Sequence, residues 1–184
     1  MSKATRSATN RMMADIRTFK NCNAPLGVIA DPPDGRNFTV LDARILGPED
    51  TPWEGGVFNI RIEFPKDYPN APPAVKFTDP VPYHPNVYAN GTICVDVLQD
   101  KWSPQYEVAS VLAILQSLLG DPNPASPAND AAAKAFVHDR PGYDATVREQ
   151  VRSTFYATRV KVKREQEEEG LTREASRVKV KKEE

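Results

Sequence analysis

Cys94 is the side chain best placed to carry an acyl group. It lies in Asn90-Gly91-Thr92-Ile93-Cys94-Val95-Asp96. A thiolate is a good nucleophile, and a thioester is an activated acyl carrier. A free cysteine between Ile93 and Val95 also fits a buried core position, so its neighbours must decide. The surrounding stretch is irregular, and His84-Pro85-Asn86 lies just upstream. His84 invites a Cys/His hydrolase reading, with the imidazole taking the thiol proton. Yet it sits directly before Pro85 with no orienting carboxylate in the motif, which favours a histidine bonded to the backbone of its own loop. Asn86 fits a turn after Pro85, and its amide could also donate to an oxyanion. Asp96 either orients an incoming amine or caps the turn that follows, and the cap is favoured. Cys22 has no polar constellation around it. His138 is isolated, and the two cysteines and two histidines lack metal-site spacing, so no metal is expected.

The elements that must position these residues can be read from periodicity. Residues 7–20 are expected to form a helix, with Met12, Met13, Ile16 and Phe19 at near-helical spacing. Residues 38–46 and 57–64 read as strands. In the second, Phe58, Ile60, Ile62 and Phe64 alternate with Asn59, Arg61 and Glu63. The glycine- and proline-rich run 47–56 joins them as a long-looped antiparallel hairpin, and 74–77 extends the sheet. Residues 78–105 carry Pro80, Pro82, Pro85, Gly91 and Pro104 without a sustained period, and a run of that length in a small domain is more often functional than idle. A helix is expected over 106–119, with Val108, Val111, Leu112, Leu115, Leu118 and Leu119 on its apolar face. A short one follows over 130–138 behind Asn129 as N-cap, and a last one begins near Pro141. Helix, strands, then helices imply an α+β domain on an antiparallel sheet.

The chain's 184 residues suffice for one domain. Hydrophobic residues at 40% and charged residues at 27% are ordinary for a globular protein, and no stretch approaches the length needed to span a bilayer. Two cysteines do not suggest a disulfide framework, and the N-terminus lacks a secretory signature, so a reduced intracellular protein is expected. The net charge of −1 is unevenly spread: residues 1–20 hold five basic side chains against one acidic, and 157–184 hold nine against seven. The N-terminal excess lacks interleaved aromatics, which argues against direct nucleic-acid binding. Residues 1–156 therefore read as the catalytic domain and 157–184 as a charged extension, helical or disordered.

The motifs resemble the ubiquitin-conjugating enzyme family. The resemblance is carried by Tyr83-His84-Pro85-Asn86, by Asn90–Leu98 around Cys94, by Trp102-Ser103-Pro104 and by Asp121-Pro122-Asn123-Pro124. Gly47-Pro48, Gly55-Gly56, Tyr68-Pro69 and Pro72-Pro73 add to it. It runs from about residue 8 to 156. Asn86–Gly91 and Pro124–Asn129 resemble the DNA-repair and histone-modifying subclass, the Rad-six type.

The resemblance implies a four-stranded antiparallel sheet with an N-terminal helix, a central helix and two C-terminal helices. It implies ubiquitin held as a thioester on Cys94, loaded by an activating enzyme that consumes ATP, and transferred to a substrate lysine with a ring-type ligase. No cofactor is bound in that chemistry. Asn86 matches the residue that steadies the oxyanion or braces the loop, and Tyr88 a position that packs on the incoming lysine. Ser126 matches a gate position that is acidic in many relatives, which makes it a candidate phosphorylation site. Arg6 and Arg11 are expected to face the activating enzyme. Asn70, with Trp102, Ser103 and Pro104, is expected to face the ligase. Histone substrates and a cytoplasmic and nuclear location go with the subclass. Against this stand a noncatalytic ubiquitin-binding scaffold, disfavoured because Cys94 is present, and a related modifier on the same chemistry.

Overall fold

The computed structural model describes residues 6–20, 28–31 and 39–154. Phe19, Cys22, Phe155, Tyr156 and the 157–184 extension lie outside the described side chains or residues.

Helix α1 (Arg6–Lys20) opens the chain and buries Ala8, Met12 and Ile16 at helical spacing, while Met13 stays half-exposed. Four strands follow: β1 (Val28–Asp31), β2 (Val40–Leu46), β3 (Val57–Glu63) and β4 (Ala74–Phe77). They form one antiparallel sheet in the order β1-β2-β3-β4. Residue pattern alone pointed to three of them. β1 is too short for its alternation to stand out, and the fourth strand came only with the family resemblance.

Alternation sends Leu41, Ala43 and Ile45 of β2, Phe58, Ile60 and Ile62 of β3, and Val75 and Phe77 of β4 into the core. The opposite face is charged. Register places Asp42 beside Arg61 and Arg61 beside Lys76 across three strands.

Helix α2 (Val108–Gly120) supplies the other half of the core through Val108, Val111, Leu112, Leu115 and Leu119. α3 (Asp130–His138) is capped as expected: the Asn129 side chain accepts from the Ala132 amide at 3.1 Å. α4 (140–154) buries Tyr143, Val147 and Val151. The N-terminal, central and two C-terminal helices of the expected α+β fold are all present.

The 47–56 connection holds more than turn chemistry. Its neck is closed by the Gly47 amide donating to the Gly56 carbonyl at 2.9 Å, and its Trp53 is buried against Phe58 and His84. A loop residue thus completes the core beneath the 78–105 segment.

Candidate active site

The irregular 78–105 segment is fixed to the scaffold by its polar groups. His84 is fully buried. Its Nδ1 accepts from the Asn86 amide at 3.1 Å, and its Nε2 lies 2.8 Å from the Leu118 carbonyl of α2. Acceptance at Nδ1 requires the proton on Nε2, so the ring is neutral and both nitrogens are committed. Burial pushes its pKa down from 6.5 to about 4. The loop-bonded reading of His84 describes this geometry, with a second tether to α2 added. A ring held this way has no nitrogen free to take a proton from Cys94, which removes the basis of the hydrolase reading.

Pro85 and Asn86 then clamp the 121–129 loop. The Pro85 carbonyl accepts from the amides of Ala128 and Asn129 at 2.8 and 2.9 Å. Asn86 is buried. Its Nδ2 donates to the carbonyls of Asn123 at 2.8 Å and Ser126 at 3.2 Å, and its Oδ1 accepts from the Asn123 amide at 2.8 Å. Its backbone carbonyl takes the Cys94 amide at 2.9 Å. One asparagine therefore ties the cysteine strand to the gate loop, and both amide hydrogens are used within the chain.

A tight turn delivers Cys94. Tyr88 and Thr92 pair through backbone, Val87 faces Ile93 across a bridge, and Lys76 faces Thr92. Gly91 sits at φ +85°, and its carbonyl accepts from the Phe77 amide at 2.9 Å. A Cβ there would lie 2.0 Å from the Phe77 carbonyl oxygen, so only glycine fits. Cys94 emerges half-buried at the rim. A single 3-10 turn, Asp96–Leu98, folds the chain back and places the Gln99 carboxamide 3.8 Å from the Cys94 sulfur. Gln99 was missed in the sequence because nothing in the residue pattern marks a single turn of three residues.

The expected cap by Asp96 is corrected. Val95 occupies the N-cap position without a side-chain bond, and the exposed Asp96 carboxylate instead pairs with Lys101 at 2.5 Å. Tyr88 is 45% exposed and Ser126 is exposed, so both side chains are open to solvent near the cysteine loop.

The two expected docking loops are brought together. Trp102 Nε1 donates to the Pro69 carbonyl at 2.8 Å, and its ring packs between Tyr68 and Tyr106. Asn70 and Pro104 are exposed and Ser103 is half-buried. Arg11 is engaged within the chain. Its Nη1 donates to Pro104 O at 2.8 Å, its Nη2 to Tyr106 O at 2.7 Å and its Nε to Asp15 at 3.1 Å. Every guanidinium nitrogen is thus spent inside the chain, and Arg11 acts as a strut rather than a free cation. Buried Asp15 also accepts from the Tyr68 hydroxyl, and desolvation raises its pKa despite these donors. Arg6 opens α1, but its side chain lies outside the described residues.

Comparison with known proteins matches residues 11–151 to the family model described as ubiquitin-conjugating enzyme. The chain belongs to the ubiquitin-conjugating enzyme family. Its relatives include "Ubiquitin-conjugating enzyme E2 2" of Saccharomyces cerevisiae, 50% identical over 149 residues, which are 80% of this chain and 84% of that protein. "Ubiquitin-conjugating enzyme E2 3" of Arabidopsis thaliana is 46% identical over 151 residues, 82% of this chain and 99% of that protein. "Ubiquitin-conjugating enzyme E2 1" of Caenorhabditis elegans is 42% identical over 151 residues, 82% of this chain and 77% of that protein. Membership makes the chain an enzyme of ubiquitin transfer, with ubiquitin and the activating and ligating enzymes as its general class of partners. The charged-domain boundary at 156 falls just past the matched region. No described helix is long and apolar enough to cross a membrane.

Proposed function

We propose that Cys94 accepts the C-terminal carboxyl of ubiquitin as a thioester from an activating enzyme and passes it to a substrate lysine. The observation that carries this reading is the half-buried Cys94 sulfur, held at the rim of a loop that Asn86 braces from beneath. In the first step the Cys94 thiolate attacks the donor thioester carbonyl. A new C–S bond forms, the old one breaks, and the donor thiolate leaves. In the second step a neutral lysine amine attacks the same carbonyl. The C–N bond forms, the C–S bond to Cys94 breaks, and the amine proton passes to solvent. ATP is spent by the activating enzyme, and this chain needs no cofactor of its own. The lysine's ordinary pKa is about 10.4, so the site must favour its neutral form, which partial desolvation beside Cys94 would do.

Asn86 acts chiefly as a brace in this reading, because donation to an oxyanion would require it to release the Ser126 or Asn123 carbonyl. Tyr88 packs against the incoming lysine from its exposed position, and Asp96 keeps a carboxylate near the amine's path. Ser126 lies in the exposed gate loop, where a phosphate would restore negative charge. The joined loops of Asn70 and Trp102-Ser103-Pro104 form the docking face for a ring-type ligase. Likeness to the Rad-six type at Asn86–Gly91 and Pro124–Asn129 supports histone substrates, a role in DNA repair, and a cytoplasmic and nuclear location.

The test incubates the protein with activating enzyme, ATP and ubiquitin. A reductant-sensitive adduct is expected for wild type, a reductant-resistant ester for Cys94→Ser, and none for Cys94→Ala. An undiminished thioester in Cys94→Ala would sink the assignment.

A further inference from the structure

Four side chains with reactive or polar ends gather where the cysteine strand turns back: Cys94, Asp96, Gln99 and Lys101. Val95 is extended, at φ −147° and ψ 135°, so its neighbours Cys94 and Asp96 project to the same side of the chain. The 3-10 turn then brings Lys101 back onto Asp96. The amides of Gln99 and Lys101 both donate to the Asp96 carbonyl at 3.0 Å, and Lys101 Nζ lies 2.5 Å from Asp96 Oδ2. The Gln99 carboxamide completes the group at 3.8 Å from the Cys94 sulfur.

Both members of the ion pair stay open to water, Asp96 at 63% and Lys101 at 70% side-chain exposure. A pair that exposed is weak and exchanges readily for another partner. The hydrogen bond to Asp96 raises the Lys101 pKa above its ordinary value, so the group is an ammonium at neutral pH. The cation resting on Asp96 is therefore chemically the same as the one an acceptor lysine presents on arrival.

We propose that the Lys101 ammonium is a built-in competitor: it occupies the Asp96 carboxylate that an acceptor lysine would use, and so restrains discharge of ubiquitin onto amines that arrive unaided. The inference rests on the reading of Asp96 as the carboxylate beside the amine's path. Tethered in the same turn, Lys101 meets Asp96 at an effective concentration that a dilute free amine does not match. An acceptor lysine held on the enzyme by a ligase is tethered too, and it displaces Lys101 because the pair is exposed. The covalent step is unchanged: the amine still attacks the thioester carbonyl and Cys94 still leaves. Removal of the Lys101 charge, as by acetylation of its amine, would free Asp96 for acceptors.

The test charges the full-length enzyme with ubiquitin, removes the activating enzyme, and follows loss of the thioester to free lysine and to hydroxylamine. Hydroxylamine is largely uncharged at neutral pH and gives Asp96 no cation to hold. Lys101→Met should discharge onto dilute lysine about threefold faster than wild type, as fits the loss of one exposed ionic competitor, and the gain should shrink near about 0.5 M salt. Discharge onto hydroxylamine should be equal for the two proteins. Lys101→Arg keeps a cation and should stay near wild type with both acceptors. In an Asp96→Asn background, Lys101→Met should change nothing. A rate onto lysine no faster than wild type for Lys101→Met, or an equal acceleration onto hydroxylamine, would overturn the proposal. If Asp96→Asn alone discharges onto lysine as fast as wild type, the reading of Asp96 fails and takes the proposal with it. Failure to form the thioester at all would instead overturn the reading of Cys94.

Discussion

Asn86 and Asn123 bond each other twice, Nδ2 to carbonyl and amide to Oδ1, both at 2.8 Å. Such a two-way contact needs a donor and an acceptor on one planar group. Asn86→Asp keeps the acceptor but turns a carboxylate toward the Asn123 and Ser126 carbonyls. Asn86→Ala leaves those groups without a partner. Each variant should lose about 1–3 kcal/mol of stability, the cost of buried polar groups left unpaired. Discharge onto lysine should fall about 10²–10³-fold if the loop it braces organises the reacting carbonyl. Thermal melts and single-turnover discharge check the two effects. A variant that melts like wild type yet discharges slowly would favour the oxyanion role over the brace.

His84 makes stability depend on acidity. Its native pKa is about 4 against an ordinary 6.5, so between those values the unfolded chain binds the proton and the folded chain does not. Stability contributed by the neutral ring is therefore intact above about pH 6.5 and is lost as pH falls toward 4. The loss should reach about 3 kcal/mol by pH 4. Carboxylates titrate in the same range, so the measurement is the difference between wild type and His84→Gln in denaturant melts from pH 7 to 4.5. The ring resonances of His84 should also stay in the neutral form down to pH 5. A His84 that titrates near 6.5 in the folded protein would contradict the two-tether geometry.

Gln99 places an amide donor 3.8 Å from the Cys94 sulfur, where it can donate to the sulfur as negative charge gathers there during acyl transfer. Gln99→Leu removes the donor, and Gln99→Glu puts a negative charge in its place. Iodoacetamide alkylation of Cys94 at neutral pH should slow for Leu and slow further for Glu, because a charge beside the sulfur opposes the charge that gathers on it. Equal rates for all three proteins would mean that the contact has no influence on the sulfur.

Ser126 is the gate-loop side chain through which charge could be added without disturbing a buried bond, since only its carbonyl is engaged by Asn86. Ser126→Asp should discharge onto lysine several-fold faster than Ser126→Ala at equal thioester loading, because a nearby carboxylate attracts the amine. Equal rates for the two variants would remove Ser126 from the proposed control of aminolysis.

The alternating residues of β2 and β3 were legible because period two with one buried face leaves a strong signature. The N-cap at Asn129 was legible for a similar local reason. Trp53, Gln99 and Arg11 were not. Trp53 sits in a loop whose glycines and prolines masked a core residue, and Gln99 reaches Cys94 through a turn of only three residues. The bonds Arg11 makes were hidden because the carbonyls it binds, Pro104 and Tyr106, lie more than ninety positions away in sequence. Contacts to distant backbone carbonyls carry no residue-type signature. The Cys94–Asn86 relation was legible only in part: spacing put both residues in one loop, but which way the amide pointed depended on the 121–129 segment folding over it.

Tyr143 tests whether the packing beneath α4 is optimised for shape or for polarity. Its ring is buried against Phe136 and Tyr83, at 5.2 and 5.9 Å between centroids, and its hydroxyl has no hydrogen-bond partner. Desolvation raises its pKa well above the ordinary value of 10, so the group is a neutral, unsatisfied phenol. A buried hydroxyl without a partner costs about 1–3 kcal/mol, whereas the ring's packing is retained in phenylalanine. Tyr143→Phe should therefore be neutral or stabilising by up to about 1 kcal/mol, which chemical denaturation can resolve. Tyr143→Ala, by contrast, opens a cavity and should cost about 3–5 kcal/mol. A clear loss of stability in Tyr143→Phe would mean that the hydroxyl is satisfied in solution, most simply by an internal water.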